Sequence, residues 1–480
     1  MMVKAPRLLI CAPASGGGKT TFTCGLLHTL IRRGMVASAC KCGPDYIDPM
    51  FHSEVIGAKS RNLDLFFSKP EQVRALVADS ALASDITIIE GVMGYYDGIA
   101  VSDTASAWDV ARVTQSPAVL VVDGRGRARS IAAEVQGFAR FRDDSRIAGV
   151  VLNRVSAMAC SRIKQLVEDE TGIRVYGCLP VLDDCSLESR HLGLVTASEV
   201  EDLRGKLNRL ADAMEQTIDI DGLVELAKSA GDIELDGSVN PVPEAGAPNP
   251  SSEAVKNVRI AVAHDDAFCF YYADALRLLE ELGAQLVEFS PIADSALPSG
   301  ISGIYIGGGY PELHAQELSS NVSMRESLAG AISNGMPTVA ECGGFMYLHQ
   351  QMEDPNGITY PQVGIVEGTS FRTPRLGRFG YVTLTAQQDG LLAETGDTLQ
   401  AHEFHYWDST NAGQAFLAEK PQSTRNWQCG MHTATMYAGY PHLYLPGNPQ
   451  AAQRFVEACI DYARRCQGSG QSSVSNEVDA

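Results

Sequence analysis

Two series of short apolar, β-branched runs, each alternating with amphipathic stretches, are separated in this chain by a segment with no apolar period at all. The first series lies at residues 8–12, 86–90, 118–123, 147–153 and 175–180; the second starts at 259–263 and continues at 286–290, 304–307 and 338–342. Such alternation is the pattern of a parallel sheet covered by helices, so each series predicts its own α/β unit. The separating segment, residues 236–252, is rich in Pro, Gly and Ser and reads as an extended linker. At 480 residues the chain exceeds one ordinary core. The expected layout is a first unit at 1–235, a linker at 236–257, a second unit at 258–466 and a disordered Ser/Gly/Gln-rich tail at 467–480. No repeat of solenoid or propeller period is present.

Composition narrows the classes. Hydrophobic residues make up 45% and charged residues 20%, as in a soluble globular protein. No stretch approaches the roughly 20 apolar residues that span a bilayer, and the N-terminus enters a strand-like segment without a signal-type apolar region. A cytoplasmic protein with no membrane partner is expected. Its 12 cysteines, irregularly spaced, predict reduced thiols and not a disulfide framework; Cys40 and Cys42 read as buried apolar residues. A net charge of -20 argues against nucleic acid as a partner, and any anionic substrate would need a local basic pocket.

The segment Pro13-Ala14-Ser15-Gly16-Gly17-Gly18-Lys19-Thr20-Thr21 follows a strand-like run and opens an amphipathic helix at 20–33. That is the setting of a P-loop, although Pro13 stands where the first glycine usually does. Ser15, Gly16, Gly17, Gly18, Lys19, Thr20 and Thr21 are the expected ATP-binding residues. Glycines let backbone N–H groups reach phosphate oxygens, the helix N-terminus favours negative charge, Lys19 reaches the terminal phosphates, and the Thr20 hydroxyl suits Mg²⁺. Two later segments add chemistry. Lys41-Cys-Gly-Pro-Asp45-Tyr46-Ile-Asp48-Pro-Met-Phe-His52 gathers carboxylates, a lysine and a histidine after a strand, and Glu90-Gly-Val-Met-Gly-Tyr-Tyr-Asp97-Gly98 ends a buried strand in an acid. Acids at the carboxyl ends of parallel strands sit where ligands bind and can hold Mg²⁺. Asp97-Gly98 is equally well turn chemistry.

With the P-loop, Gly43-Pro-Asp-Tyr-Ile-Asp-Pro49 and Glu90-Gly-Val-Met-Gly-x-Tyr-Asp-Gly98 resemble the cobyrinic acid a,c-diamide synthase family, as do Asn62-Leu63-Asp64 and His191-Leu192-Gly193-Leu194. The N-terminal part of that family is similar to dethiobiotin synthetase and activates a substrate carboxylate with ATP as an acyl phosphate. The resemblance implies that Thr20, Asp45, Asp48 and Glu90 hold Mg²⁺ and the reacting groups, while Lys19 and Lys41 stabilise the transferring phosphoryl. Tyr46, Asp97 and His191 join the expected substrate or acyl-phosphate residues.

In the second half, Val339-Ala340-Glu341-Cys342-Gly343-Gly344-Phe345-Met346 is an apolar strand ending in a cysteine, with two glycines and a helical pattern following. A strand–turn–helix of this kind exposes the thiol and aims the Gly343 N–H at a developing oxyanion; the cluster Gly307-Gly308-Gly309 offers the second donor, at Gly308. His442 is the expected base for Cys342. This order is similar to the triad-type (class I) glutamine amidotransferases, a flavodoxin-like fold, and to the branch fused to cobyrinate and cobyrate synthases. Residues 259–272, Phe379-Gly380-Tyr381 and His402-Glu403-Phe404-His405-Tyr406 fit that branch. Two positions depart from the pattern: Tyr444 stands where an acid or second histidine is usual, and Ala275 where asparagine is frequent. His402 and His405 are expected to be structural or to touch substrate.

The resemblance implies an enzyme that takes ammonia from glutamine at Cys342 and uses it, with ATP, to amidate the a and c acetate carboxylates of a corrin. For this corrinoid polycarboxylate Arg190, His191, Arg372, Arg375 and Arg378 could supply the basic surface. The motifs do not separate this activity from a nickel-sirohydrochlorin a,c-diamide synthase. A partitioning or switch-type P-loop ATPase would leave Cys342 and His442 without a purpose. The sequence does not set the oligomeric state, and a homodimer stays open.

Overall fold

Consecutive side chains of a strand point to opposite faces of its sheet, and the first series of runs is apolar on both. In the computed structural model, which describes residues 1–182, 185, 197–235 and 258–471, Leu8, Ile10, Ile86, Ile88, Val119 and Val121 enter one core. Their neighbours Leu9, Cys11, Ile89, Leu120 and Val122 enter another. Helix Lys19–Arg32 lays Phe22, Leu26, Leu27 and Leu30 into the first core, beside Leu207, Leu210 and Met214 of Ala197–Thr217. Helix Pro70–Leu82 adds Val73, Leu76 and Val77 to the second.

The resulting sheet has seven strands, in the order Ser60–Leu63, Ala37–Cys42, Ile86–Glu90, Arg7–Cys11, Ala118–Asp123, Ile147–Asn153 and Val175–Leu179. Every adjacent pair is parallel. The chain leaves Arg7–Cys11 toward one edge and later returns to build the other, which opens a crevice at the carboxyl end of that central strand.

The chain divides into two compact units, Met1–Val242 and Pro243–Ala480. The expected linker at 236–257 lies outside the described residues. In the second unit Gln285–Phe289, Arg259–Ala263, Gly303–Ile306, Thr338–Glu341 and Met436–Gly439 are parallel neighbours in that order, with Met431–His432 antiparallel at the edge. A five-stranded antiparallel sheet follows the order Asn426–Cys429, Phe416–Glu419, Phe379–Ala386, Thr398–Phe404 and His442–Leu443. A four-stranded sheet includes His349–Glu353 and Val366–Arg372. Neither sheet was among the expected elements. In Thr398–Phe404 only Leu399, Ala401 and Glu403 are buried, so the segment lacks the continuous apolar run that marks a strand covered on both faces.

Two expectations need correction. Cys160 on helix Ala157–Thr171 and Cys178 on strand Val175–Leu179 are joined by a disulfide, their Cα atoms 5.9 Å apart; the other ten cysteines form no disulfide. The helix returns directly onto the strand that follows it, and this proximity is invisible in the spacing. The last helix, Pro449–Gln471, runs through residues 467–471 of the expected tail, its earlier turns anchored by buried Ala452, Phe455, Val456 and Cys459. Residues 472–480 lie outside the described residues. Among the described residues no helix is long and apolar enough to cross a membrane.

Because Leu27 is fully buried between Lys19–Arg32 and the sheet, Leu27→Ala is expected to destabilise the first unit by about 2–5 kcal/mol. A lowered urea midpoint in equilibrium unfolding checks this.

Candidate functional site

The loop after Arg7–Cys11 must turn a buried strand into a helix while presenting its amides. Gly18 caps Lys19–Arg32 with φ +99°, and a Cβ there would fall 2.1 Å from Asn153 Nδ2. Only glycine fits both the dihedral and the space. Asn153, at the carboxyl end of its strand, donates Nδ2–H to the Gly17 carbonyl at 3.1 Å. Arg154 donates to the Gly16 carbonyl at 3.3 Å and pairs with Asp123 at 2.9 Å. These braces were missed in the sequence, where the only signal is a polar pair ending an apolar run. Ser15 and Gly16 are exposed at the crest of the loop, and Thr21 is half-buried in the first helical turn. Buried Lys19 donates to the carbonyls of Met93 (2.5 Å) and Ala14 (3.3 Å), and burial and the neighbouring Lys41 lower its pKa.

Register creates the charge cluster beside the loop. Glu90 pairs with Ile10 on one side and Lys41 on the other. Lys41 Nζ donates to Glu90 Oε1 at 2.8 Å and also to Asp48, Thr20 Oγ1 donates to Glu90 Oε1 at 2.6 Å, and His52 Nε2 lies 3.2 Å from Glu90 Oε2. Burial alone would lower Lys41, but Glu90, Asp48 and Asp45 raise it well above the ordinary lysine value. Burial alone would raise Glu90, but Lys41 and His52 hold it well below the carboxylate range. Asp48, pushed by burial and then by Glu90, rises to about 7. Burial and the like charge of Glu90 therefore push Asp48 up, while Lys41 and His52 hold Glu90 down.

The preceding loop is fixed from two sides. Asn62 Nδ2 donates to the carbonyls of Gly43 (2.9 Å) and Asp45 (2.7 Å), and Asp45 Oδ1 accepts the Asp48 N–H at 3.0 Å. Tyr46 is half-buried at the start of the short helix Ile47–Met50, and the π-helical turn Phe51–Ile56 carries His52 inward. Thr20, Lys41, Asp48 and Glu90 are thus in one contact network, with Asp45 one turn away. Thr20, Asp48 and Glu90 supply only oxygen donors, the set Mg²⁺ takes; among the described residues no cluster of three or more His, Cys, Asp or Glu forms a metal cage. Asp97 is exposed, and its Oδ2 accepts the Gly94 N–H at 3.1 Å, closing the turn. Arg190 and His191 lie outside the described residues. Arg372 and Arg375 are exposed; half-buried Arg378 lies 3.9 Å from Asp408 and over the Trp427 ring.

In the second unit, Thr338–Glu341 ends at Cys342, whose φ of +49° and ψ of -99° are those of a strained elbow. The turn has no room for side chains after it: a Cβ on Gly344 would lie 2.3 Å from the Ile306 carbonyl oxygen. The Gly343 amide bonds to the thiol, opposing burial and Glu312, which push that thiol well above its ordinary pKa. His442, in the short strand His442–Leu443, is the register partner of His402. Its ring lies against Gly308, where a Cβ would fall 2.4 Å from Cε1. Burial, then His402 and His405, lower His442 to about 3. Burial thus disfavours charge on both the thiol and the imidazole. His405 stacks on Tyr440 at 3.9 Å, His402 meets the Tyr381 ring edge-on, Tyr444 packs edge-on against Tyr272 (5.1 Å), and Ala275 is fully buried. Glu341, the residue before Cys342, accepts the Leu443 N–H on Oε1 at 2.9 Å and the Tyr305 hydroxyl on Oε2 at 3.0 Å.

A glycine-rich strand-to-helix loop with a Lys–carboxylate cluster, joined in one chain to a cysteine elbow with a buried histidine, fits the class of ATP-dependent glutamine amidotransferases. Residues 8–195 match the CobQ/CobB/MinD/ParA nucleotide binding domain, and residues 259–449 the CobB/CobQ-like glutamine amidotransferase domain. The cobyrinate a,c-diamide synthase of Thermoplasma volcanium is 40% identical over 469 residues, spanning 96% of this chain and 99% of its own. Those of Picrophilus torridus (39% over 461 residues, 96% of this chain and 100% of the relative) and Salmonella typhimurium (37% over 465 residues, 95% and 99%) match throughout as well. The chain belongs to the cobyrinate a,c-diamide synthase family.

Removing one member of a buried ion pair strands the other's charge. Lys41→Met is therefore expected to cost about 3–5 kcal/mol of stability, read from urea unfolding. Adding Glu90→Gln to that variant should recover part of the loss.

Proposed function

We propose that the chain carries out ATP- and glutamine-dependent amidation of the a and c acetate carboxylates of cobyrinic acid, in cobalamin biosynthesis, as a cytoplasmic enzyme. The observation that carries this reading is the Cys342 elbow with His442 buried against Gly308, in a chain 40% identical over 469 residues to a named cobyrinate a,c-diamide synthase.

In the glutaminase half, His442 takes the thiol proton as Cys342 Sγ attacks the glutamine side-chain carbonyl carbon. The Gly343 amide, with one from the Gly308 segment, stabilises the oxyanion. Collapse breaks the C–N bond, the proton on His442 leaves with ammonia, and water hydrolyses the thioester to glutamate and free thiol. In the ATP half, a substrate carboxylate oxygen takes the γ-phosphoryl, giving ADP and an acyl phosphate. Ammonia then displaces phosphate to form the amide. Lys19 and Lys41 stabilise charge on the transferring phosphoryl, and the braced loop amides hold the phosphates. Thr20, Asp48 and Glu90, with Asp45 nearby, would hold Mg²⁺, which neutralises phosphate charge when bound. Tyr46 lies beside the same cluster. Arg375 and Arg378 contribute to holding substrate carboxylates, so charge reversal at either should raise the KM for the acceptor.

Cys342→Ser should abolish glutamine-driven amidation and spare amidation driven by free ammonia; simultaneous loss of both would overturn this division of labour. Mass spectrometry with cobyrinic acid and nickel-sirohydrochlorin offered side by side tests the acceptor. Two successive replacements of OH by NH₂ on the corrin alone are expected, and the same change on the nickel compound alone would reassign the substrate. Because a pKa of about 3 keeps His442 unprotonated well below neutrality, kcat/KM for glutamine should hold between pH 7 and 5. A histidine of ordinary pKa would lose about 25-fold over that interval.

A further inference from the structure

We propose that Glu341, the residue before the nucleophile, is a positioning residue for the glutaminase reaction, its carboxyl clamping the strand that carries His442. The inference rests on Cys342 and His442 acting as nucleophile and base.

The segment from Gly439 to Leu443 is gripped at several points. The Cys342 N–H donates to the Gly439 carbonyl at 2.8 Å, and the Tyr437 hydroxyl donates to the Pro441 carbonyl at 3.0 Å. On one side His442 and Leu443 form a ladder with His402 and Ala401. Glu341 Oε1 accepts the Leu443 N–H at 2.9 Å, while Oε2 is fixed by the Tyr305 hydroxyl at 3.0 Å from the adjacent parallel strand. One dipeptide, Glu341-Cys342, therefore holds the base-bearing segment both before and after His442. The separation of thiol and imidazole is set by a backbone bond at Gly439 and a side-chain bond at Leu443. This matters because Tyr444 occupies the place where class I enzymes carry an acid, and Tyr444 packs against Tyr272. Glu341 restrains the backbone beside the base.

Glu341 is 2% exposed, and burial lifts it to about 8 against the opposing Leu443 and Tyr305 bonds. Glutamine matches its length and shape and tests the clamp without the charge. The amide oxygen of a glutamine can accept the Leu443 N–H, and its NH₂ can donate to the Tyr305 oxygen. An alanine can do neither, and a small displacement of a reacting group costs on the order of 100-fold in rate.

The test measures glutamine hydrolysis, glutamine-driven amidation and ammonia-driven amidation in the full-length enzyme and in Glu341→Ala and Glu341→Gln. Glu341→Ala should lower glutaminase kcat by about 10- to 100-fold, with little change in glutamine KM and an unaltered ammonia-driven rate. Glu341→Gln should restore most of the lost kcat. The inference is overturned if Glu341→Ala keeps the wild-type kcat, if Glu341→Gln is as impaired as Glu341→Ala, or if ammonia-driven activity falls in parallel. Absence of glutamine hydrolysis in the wild-type enzyme would instead remove the glutaminase reading itself, and this inference with it.

Discussion

The buried charge of Glu90 organises the first unit. A carboxylate with no exposed surface carries a desolvation penalty of several kcal/mol unless partners surround it. Here the partners come from four elements: Lys41 from the neighbouring strand, Asp48 through Lys41, His52 from the π-helical turn and Thr20 from the first turn of the helix. Strand register brings Lys41 alongside Glu90. Because each partner lies at the carboxyl end of the sheet, beside the proposed nucleotide site, the interaction that makes the strand end tolerable is the one that would line that site with fixed charge. The loop above it is held from the opposite side by Asn153 and Arg154. A phosphate-binding loop whose amides are already oriented loses less freedom when a ligand arrives.

The second unit solves a different problem. In the proposed reaction a thiol and an imidazole, each pushed toward its neutral form by burial, must meet where the backbone leaves a sheet. The strained dihedral of Cys342 is maintained by surroundings that admit no alternative: Gly344 is pressed against Ile306, and Gly308 leaves the space that the His442 ring fills. Burial lowers the pKa of His442, the direction the proposed base requires. The same burial pushes the Cys342 thiol up, so in the proposed reaction the thiolate would form as His442 takes the proton.

Much of this was legible from the chain. The buried strands announced themselves because a strand covered on both faces has no polar side, and the runs at 86–90, 118–123, 147–153 and 259–263 coincide with strands Ile86–Glu90, Ala118–Asp123, Ile147–Asn153 and Arg259–Ala263. The P-loop and the cysteine elbow were readable because their glycines are required by local geometry. The antiparallel strands were not, since a half-exposed strand such as Thr398–Phe404 hides its apolar positions among polar ones. The Cys160–Cys178 bridge was not either, because spacing along the chain carries no information about a helix folding back on the next strand.

The sequence by itself singled out which residues could carry the proposed chemistry. Lys19, Thr20, Lys41, Glu90, Cys342 and His442 are recognisable because side-chain type and immediate neighbours define what each can do. Tertiary structure decided which of them meet and in what protonation state. Glu90 and Lys41 are 49 positions apart and Glu341 and Leu443 are 102 apart, separations over which only strand order and register decide contact. Burial, which lifts Asp48 and lowers His442, is likewise a property of the packed chain, because the water excluded from a carboxyl or imidazole is excluded by residues far away in sequence.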